Sequence, residues 1–150
     1  MHDETPIFRD MQLEDVEAVS LIERECFAAP WKPEDFIAMA NNDSSAYVVM
    51  VLDGKIIGGA GIRNIVGDGE ITNVAITKIH RGKGYSKLLL QNLIERGKEL
   101  GATQFTLEVR VSNEPAIRCY KSVGFEDEGI RPGFYEHPKE DALIMWIRNA

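Results

Sequence analysis

The sequence is short of several things at once. It has two cysteines, Cys26 and Cys119, and three histidines, His2, His80 and His137, among 150 residues. Two cysteines are too few for a disulfide framework or a zinc site, which predicts two reduced thiols in a reducing compartment. The histidines are separated and show no metal-ligand spacing, so solvated side chains and no metal are expected. No apolar run approaches the roughly 18 residues of a membrane span, and no signal-peptide pattern opens the sequence. A cytoplasmic protein without membrane contact is therefore expected. Basic residues number 17 against 24 acidic ones, a formal net charge of −7. That balance argues against general nucleic-acid binding, favours solubility and is compatible with a cationic partner. Linkers, internal repeats and low-complexity tracts are absent. The length suits one domain over residues 1–150, enough to bury roughly 70% of the unfolded surface without disulfides or metals.

One stretch organises the rest. Residues 73–90 join an apolar run (Val74, Ala75, Ile76) to a basic, glycine-bearing turn (Arg81, Gly82, Lys83, Gly84, Tyr85, Ser86) and then to a leucine-rich segment. The pattern reads as strand, anion-binding loop and helix. Glycines let backbone amides approach an oxyanion, two cations stand beside them, and the positive end of a helix macrodipole lies behind.

Ahead of it, residues 6–9 read as a first strand, and Val16, Val19, Ile22 and Cys26 recur at helical spacing behind Glu14 and Asp15. Residues 27–31 break that period, and Pro33 suits the first turn of a short helix carrying Phe36, Ile37 and Ala40. Phe27 and Trp31, beside Pro30, either line a ligand groove or cap the core. Asp53-Gly54 between residues 46–52 and 55–64 predicts a hairpin, in which Gly58, Gly59 and Gly61 mark a bulge or a close backbone approach. A turn at Gly67, Asp68 and Gly69 leads to a strand over 70–77. The helix over 85–100 sets Leu89, Leu93, Gly97 and Leu100 on one face and stops at Gly101. A strand over 104–111, a helix capped by Asn113 with Pro115 in its first turn and ending before Gly124, and strands over 125–130 and 142–148 separated by a Pro/Gly-containing loop complete one mixed α/β sheet with helices packed on it.

Spacing discriminates among polyphosphate loops. A P-loop needs G-x-x-x-x-G-K-[ST], and no Lys-Ser or Lys-Thr pair stands at that offset; a dinucleotide fingerprint needs a third glycine where Lys87 stands, and a second βαβ half. The pattern R/Q-x-x-G-x-G/A fits residues 81–86 except at Ser86. Here the sequence resembles the GNAT acetyltransferase superfamily. The second half is more specific: Leu107-Glu108-Val109-Arg110, Ser112-Asn113, Ala116-Ile117, Tyr120, Gly124-Phe125, Arg131, Phe134-Tyr135, Glu140-Asp141-Ala142 and Met145 resemble the bacterial ribosomal-protein-alanine N-acetyltransferases, as does Phe27 with Pro30-Trp31. The resemblance covers nearly the whole chain. It implies the GNAT acyl-CoA N-acyltransferase fold (α/β, α+β), a mixed seven-stranded sheet flanked by about four helices. Three positions depart from the family pattern: Ser86 replaces a Gly or Ala, Phe134 a tyrosine, and Lys32 a helix-capping Ser or Thr, the last offset in part by Pro33.

The resemblance also implies roles. Arg81, Gly82, Lys83, Gly84, Tyr85, Ser86 and Lys87 would hold the pyrophosphate of acetyl-CoA, Asn113 would hydrogen-bond the same molecule, and backbone amides of Val74, Ala75 and Ile76 would meet the developing oxyanion while the pantetheine arm lies along that strand. Phe27, Trp31, Arg131, Phe134 and Tyr135 would contact the acceptor. Glu108 is the implied general base, acting directly or through water. A free glutamate near pKa 4.3 is a feeble base, so this role requires burial or a relay; the alternative is a surface carboxylate paired with Arg110 or another cation. Tyr120 is the implied general acid toward the CoA sulfur, the alternative being a core tyrosine with its hydroxyl at the surface. Glu70 is a second candidate base, with a strand-edge charge the better reading. Cys119 has no nearby histidine in sequence to support an acyl-enzyme, so direct attack is expected. An α-amino group near pKa 8 is partly neutral at pH 7, so a weak base suffices. The expected acceptor is a protein N-terminus, foremost the N-terminal alanine of the eighteenth small-subunit ribosomal protein. Another amine, or a non-catalytic acyl-CoA sensor, are the competing readings.

Overall fold

A computed structural model describes residues 5–149; His2 lies outside them. The chain runs β1 (Ile7–Asp10), α1 (Val16–Cys26), α2 (Pro33–Ala40), β2 (Ser45–Leu52), β3 (Lys55–Ile65), β4 (Asp68–Ile76), α3 (Tyr85–Glu99), β5 (Gln104–Arg110), α4 (Glu114–Val123), β6 (Glu126–Tyr135) and β7 (Glu140–Ile147). The strands form one sheet in the order β1-β2-β3-β4-β5-β7-β6. Every neighbouring pair is antiparallel except β4 and β5. No helix among the described residues is long and apolar enough to cross a membrane.

The run Ala46-Tyr47-Val48-Val49-Met50 shows why the sheet is covered on both sides. Successive strand side chains point to opposite faces, and Ala46, Val48 and Met50 join one buried cluster while Tyr47 and Val49 join another. The first cluster is closed by α3 through Leu89, Leu90, Leu93 and Ile94; the second by α1 and α2 through Val16, Val19, Phe36 and Met39. Gly97, on the buried stripe of α3, lets helix and sheet meet closely: a Cβ there would lie 2.5 Å from Ile62 Cδ1 and 2.6 Å from Phe105 Cε1.

Two boundaries and one helix cap differ from expectation. The β3–β4 hairpin turns on Val66 and Gly67, not on Gly67 to Gly69, because Ile65 pairs with Asp68. Val66 takes φ 51°, a left-handed conformation that a β-branched residue rarely adopts. Strand β6 continues through Pro132 and Gly133 instead of yielding to a loop. Its register passes from Arg131↔Ala142 to Tyr135↔Glu140, and Gly133 N donates to Asp141 Oδ1 at 2.8 Å. β6 is the sheet edge, where a proline without an N–H is tolerated. At the start of α2, Lys32 has no acceptor to offer, yet Asp35 Oδ2 accepts from Lys32 N at 2.9 Å, which adds to the partial offset expected from Pro33.

Candidate active site

The site originates where two strands stop pairing. β4 and β5 share only Asp68↔Gln104, Gly69↔Phe105 and Glu70↔Thr106. Beyond these pairs β4 continues alongside β3 and β5 alongside β7, so the strands fork and their facing edges have no ladder between them. One arm carries Val74, Ala75 and Ile76; the other carries Glu108 and Arg110.

The β4 arm is bent by a bulge. Gly61 pairs with Thr72 and Gly59 with Ala75, so Asn73 and Val74 together face one residue of β3. Asn73 adopts φ 56°. Gly59 lets this part of the sheet close, since a Cβ there would lie 2.5 Å from Tyr47 Cε1. After β4 the chain passes through a 3-10 turn (Lys78–His80) into the glycine loop. Gly82 and Gly84 have φ of 75° and 82°, and an added Cβ at either would meet nothing within 4 Å. These glycines therefore serve backbone conformation and not space. Gly84 is the N-cap of α3 and supplies no capping side chain, which leaves the first-turn amides available to an anion.

The loop's cations divide their work. Arg81 folds back: its Nε donates to Ile76 O at 3.0 Å and its Nη2 to Cys26 Sγ at 3.0 Å, while Lys78 N donates to Glu25 Oε1 at 2.7 Å. Arg81 thus ties the loop to α1 and to the end of β4. Lys83 and Lys87 are exposed and pair with no acid among the described residues. Tyr85 packs on the core and Ser86 is half-buried. His80 is not a solvated side chain as expected; it is half-buried, and its Nδ1 shares a 2.7 Å hydrogen bond with Thr77 Oγ1. His137 is exposed. Asn113 caps α4, its Oδ1 accepting from Ala116 N at 3.3 Å, and its amide nitrogen bonds no described residue.

On the other arm Glu108 is partly buried, and burial raises its pKa above the ordinary glutamate value, against the lowering effect of Arg131 and with a further raising effect from Glu70. Arg131 Nη1 lies 3.3 Å from Glu108 Oε2. The contact is an ion pair without hydrogen-bond geometry, so this buried oxygen accepts no hydrogen bond from the described residues. Arg110, the partner suggested by sequence proximity, is committed elsewhere. It donates to Pro138 O at 2.8 Å, Glu136 O at 2.9 Å and Glu140 Oε1 at 3.2 Å, and lies 4.5 Å from the centre of the Tyr135 ring. Arg110 thereby braces the β6–β7 turn. Arg131 also lies 5.1 Å from the Phe134 ring centre, and the Phe134 and Tyr135 rings meet edge to face at 5.0 Å. Arg131, Phe134 and Tyr135 are brought together with Glu108. Tyr120, on α4, is half-buried, packs on the first core cluster with its ring 6.1 Å from Phe125, and is held above the ordinary tyrosine pKa by burial.

The α1–α2 loop resolves its two aromatics differently. Trp31 is half-buried and its ring lies 5.4 Å from Phe36, which in turn meets Tyr47 edge to face at 5.2 Å. Phe27 is half-buried but belongs to neither core cluster. Both cysteines are free and half-buried, with pKa raised by burial, so neither is a pre-formed thiolate. An open groove of about 630 Å³ between β1 and α3 lies away from the fork, and its Arg96 is already paired with Asp10 and Glu99.

One buried carboxylate was not anticipated. Glu23 is 1% exposed, on the α1 stripe with Val16, Val19, Ser20 and Ile22. The signal was its spacing: Glu23 stands four residues after Val19 and seven after Val16, on the face the apolar residues define.

The chain is similar to known proteins over most of its length. Residues 16–125 match the family described as Acetyltransferase (GNAT) family. A Bacillus subtilis (strain 168) protein provisionally named a [ribosomal protein bS18]-alanine N-acetyltransferase is 40% identical over 140 residues, covering 93% of each chain. The [ribosomal protein bS18]-alanine N-acetyltransferase of Haemophilus influenzae is 33% identical over 136 residues, covering 87% of this chain and 90% of its own. The crystal structure of the ribosomal-protein-S18-alanine N-acetyltransferase from Escherichia coli superposes with TM-score 0.87 at 26% identity, covering 97% of this chain and 95% of that one.

Proposed function

Because the chain belongs to the acetyltransferase (GNAT) family, we propose that it is an acetyl-CoA-dependent N-acetyltransferase of a protein N-terminal α-amino group, with the N-terminal alanine of ribosomal protein bS18 as its leading substrate. The relatives named for that substrate support the acceptor. The observation that carries the chemistry is the β4–β5 fork with a partly buried carboxylate, Glu108, on one arm.

Acetyl-CoA supplies an activated acyl group as a thioester. The residues present fit it: an uncapped helix start behind two left-handed glycines, with Lys83 and Lys87 unpaired beside them, suits a pyrophosphate. Amides of Val74, Ala75 and Ile76 would orient the carbonyl and oppose the charge that develops on its oxygen. Glu108 takes the proton from the attacking nitrogen, directly or through one water. Its raised pKa brings it nearer that of an α-ammonium than a free glutamate would be. Tyr120, kept protonated by burial, gives a proton to the departing thiolate. The new C–N bond replaces the C–S bond without an acyl-enzyme. Arg131, Phe134, Tyr135, Trp31 and Phe27 frame the acceptor between the β6–β7 side and the α1–α2 loop.

Release of CoA thiol is measured with a peptide beginning with alanine, the same peptide blocked at its terminus, and a polyamine. Turnover with the free terminus alone supports the reading; turnover with polyamines alone overturns the acceptor, and binding of acetyl-CoA without turnover on any amine favours a sensor.

A further inference from the structure

Glu23 is a costly residue to bury. Oε1 accepts from the side-chain amide of Asn73 and from the backbone N of Trp31, the latter at 3.3 Å. Oε2 is buried with no hydrogen-bond partner among the described residues. A half-satisfied buried carboxyl is destabilising relative to an apolar side chain of similar volume, so core stability does not account for it.

Its two partners do. Asn73 is the left-handed residue of the β4 bulge, immediately before Val74, Ala75 and Ile76. That conformation is disfavoured for a residue other than glycine and must be held by its surroundings. Trp31 belongs to the loop between α1 and α2, and its ring packs on Phe36. A single carboxylate oxygen thus touches the strand arm on the acetyl side and the loop on the acceptor side, whereas Cys26, at the end of the same helix, reaches only the far end of that arm, its Sγ donating to Ile76 O at 3.5 Å.

We propose that Glu23 is a positioning residue that couples the two halves of the site: it holds the Asn73 bulge, and with it the amides of Val74, Ala75 and Ile76, at a fixed distance from the acceptor loop at Trp31. This rests on the proposed function, in which those amides orient the thioester and that loop frames the amine. Movement of one side then changes the hydrogen bond available to the other. Misplacement of a reacting group by about 1 Å costs on the order of 100-fold in rate, which sets the scale of the effect.

The test uses the full chain as Glu23→Ala, Glu23→Gln, Asn73→Gly and the double variant Glu23→Ala/Asn73→Gly. Steady-state constants are measured for acetyl-CoA and for the alanine peptide, and amide hydrogen exchange is measured on the ligand-free protein. Glu23→Ala is expected to lower kcat/KM for both substrates by about 10- to 100-fold and to speed exchange in residues 27–32 and 71–77, while β2 exchanges as in the wild type. Glu23→Gln keeps an oxygen acceptor and is expected to stay within about threefold of wild type. Asn73→Gly keeps the left-handed backbone but loses the amide, so it should loosen residues 71–77 alone. Adding Glu23→Ala to it should loosen 27–32 without further effect on 71–77.

A folded Glu23→Ala with unchanged exchange in either segment overturns the proposal, as does a uniform rise in exchange across the sheet, which would mark a merely structural carboxylate. Should Glu23→Ala not fold, Asn73→Gly decides: unchanged exchange over 71–77 overturns the proposal and faster exchange there supports it. A wild type that acetylates no N-terminus overturns the acceptor reading, whereas the exchange results stand or fall independently of it.

Discussion

Arg131 Nη1 lies 3.3 Å from Glu108 Oε2, and the guanidinium continues over the Phe134 ring. The cation that faces the candidate base therefore comes from the sheet edge across β7, and not from Arg110 two residues along the same strand. Its charge lowers the Glu108 pKa, while Glu70, the last β4 residue paired to β5, raises it.

Two substitutions should therefore move the pH–rate profile in opposite directions. A base with a raised pKa becomes competent only as pH climbs through that value, so Arg131→Ala should push the acidic limb of kcat/KM to higher pH. Glu70→Gln should push it to lower pH. Profiles that coincide with wild type for both variants would remove Glu108 from the role of base.

Loss of the two proposed proton-transfer groups should separate chemistry from binding. Glu108→Gln is expected to lower kcat by about 100-fold or more. Tyr120→Phe should lower turnover with little change in acetyl-CoA affinity by calorimetry. An unchanged rate in Tyr120→Phe would mean that the hydroxyl donates to nothing in the transition state.

Arg81 is held by Ile76 O and Cys26 Sγ, whereas Lys83 and Lys87 pair with no acid among the described residues. Replacing either with alanine should weaken acetyl-CoA binding by roughly tenfold, the equivalent of about 1.4 kcal/mol, and should flatten its dependence on ionic strength. Arg81→Ala should also lower the melting temperature, because it releases the loop from Ile76 and Cys26. Equal losses of stability in all three would contradict this division.

Asp15 supplies a pH test of stability. Its buried carboxylate accepts from Arg9 at 2.6 and 3.1 Å and from Gln12 N at 2.8 Å, and these contacts hold its pKa below the ordinary aspartate value. The sign follows from linkage: a carboxylate depressed in the folded state contributes stability above its unfolded pKa and loses it as pH falls through the folded value. Asp15→Asn should cost about 1–3 kcal/mol near pH 7, and the gap to wild type in denaturant unfolding should close on acidification. A gap independent of pH would show that the ion pair carries none of it.

The elements were legible where local chemistry decides them. Asp53-Gly54 closes the hairpin with both residues at positive φ, 50° and 74°, Asn113 caps α4, and the stripe through Leu89 and Leu93 is buried. The Val66 turn was missed because a β-branched residue at positive φ runs against local preference and persists only through pairing across the hairpin. The extension of β6 through Pro132 was missed because a proline reads as a loop until the strand is known to lie at an edge.

Residue type and neighbours a few positions away were enough for the glycine loop, the alternation of strands and helices, and the recognisable spacing of Glu108 and Tyr120. Tertiary structure alone decided which charges meet. Arg131 reaches Glu108 because β7 lies between β5 and β6; Arg81 turns inward because α1 ends beside β4. Glu23 became a junction for the same reason: its partners are 50 and 8 residues away, and only the fork in the sheet gives the bulge at one and the loop at the other a common carboxylate.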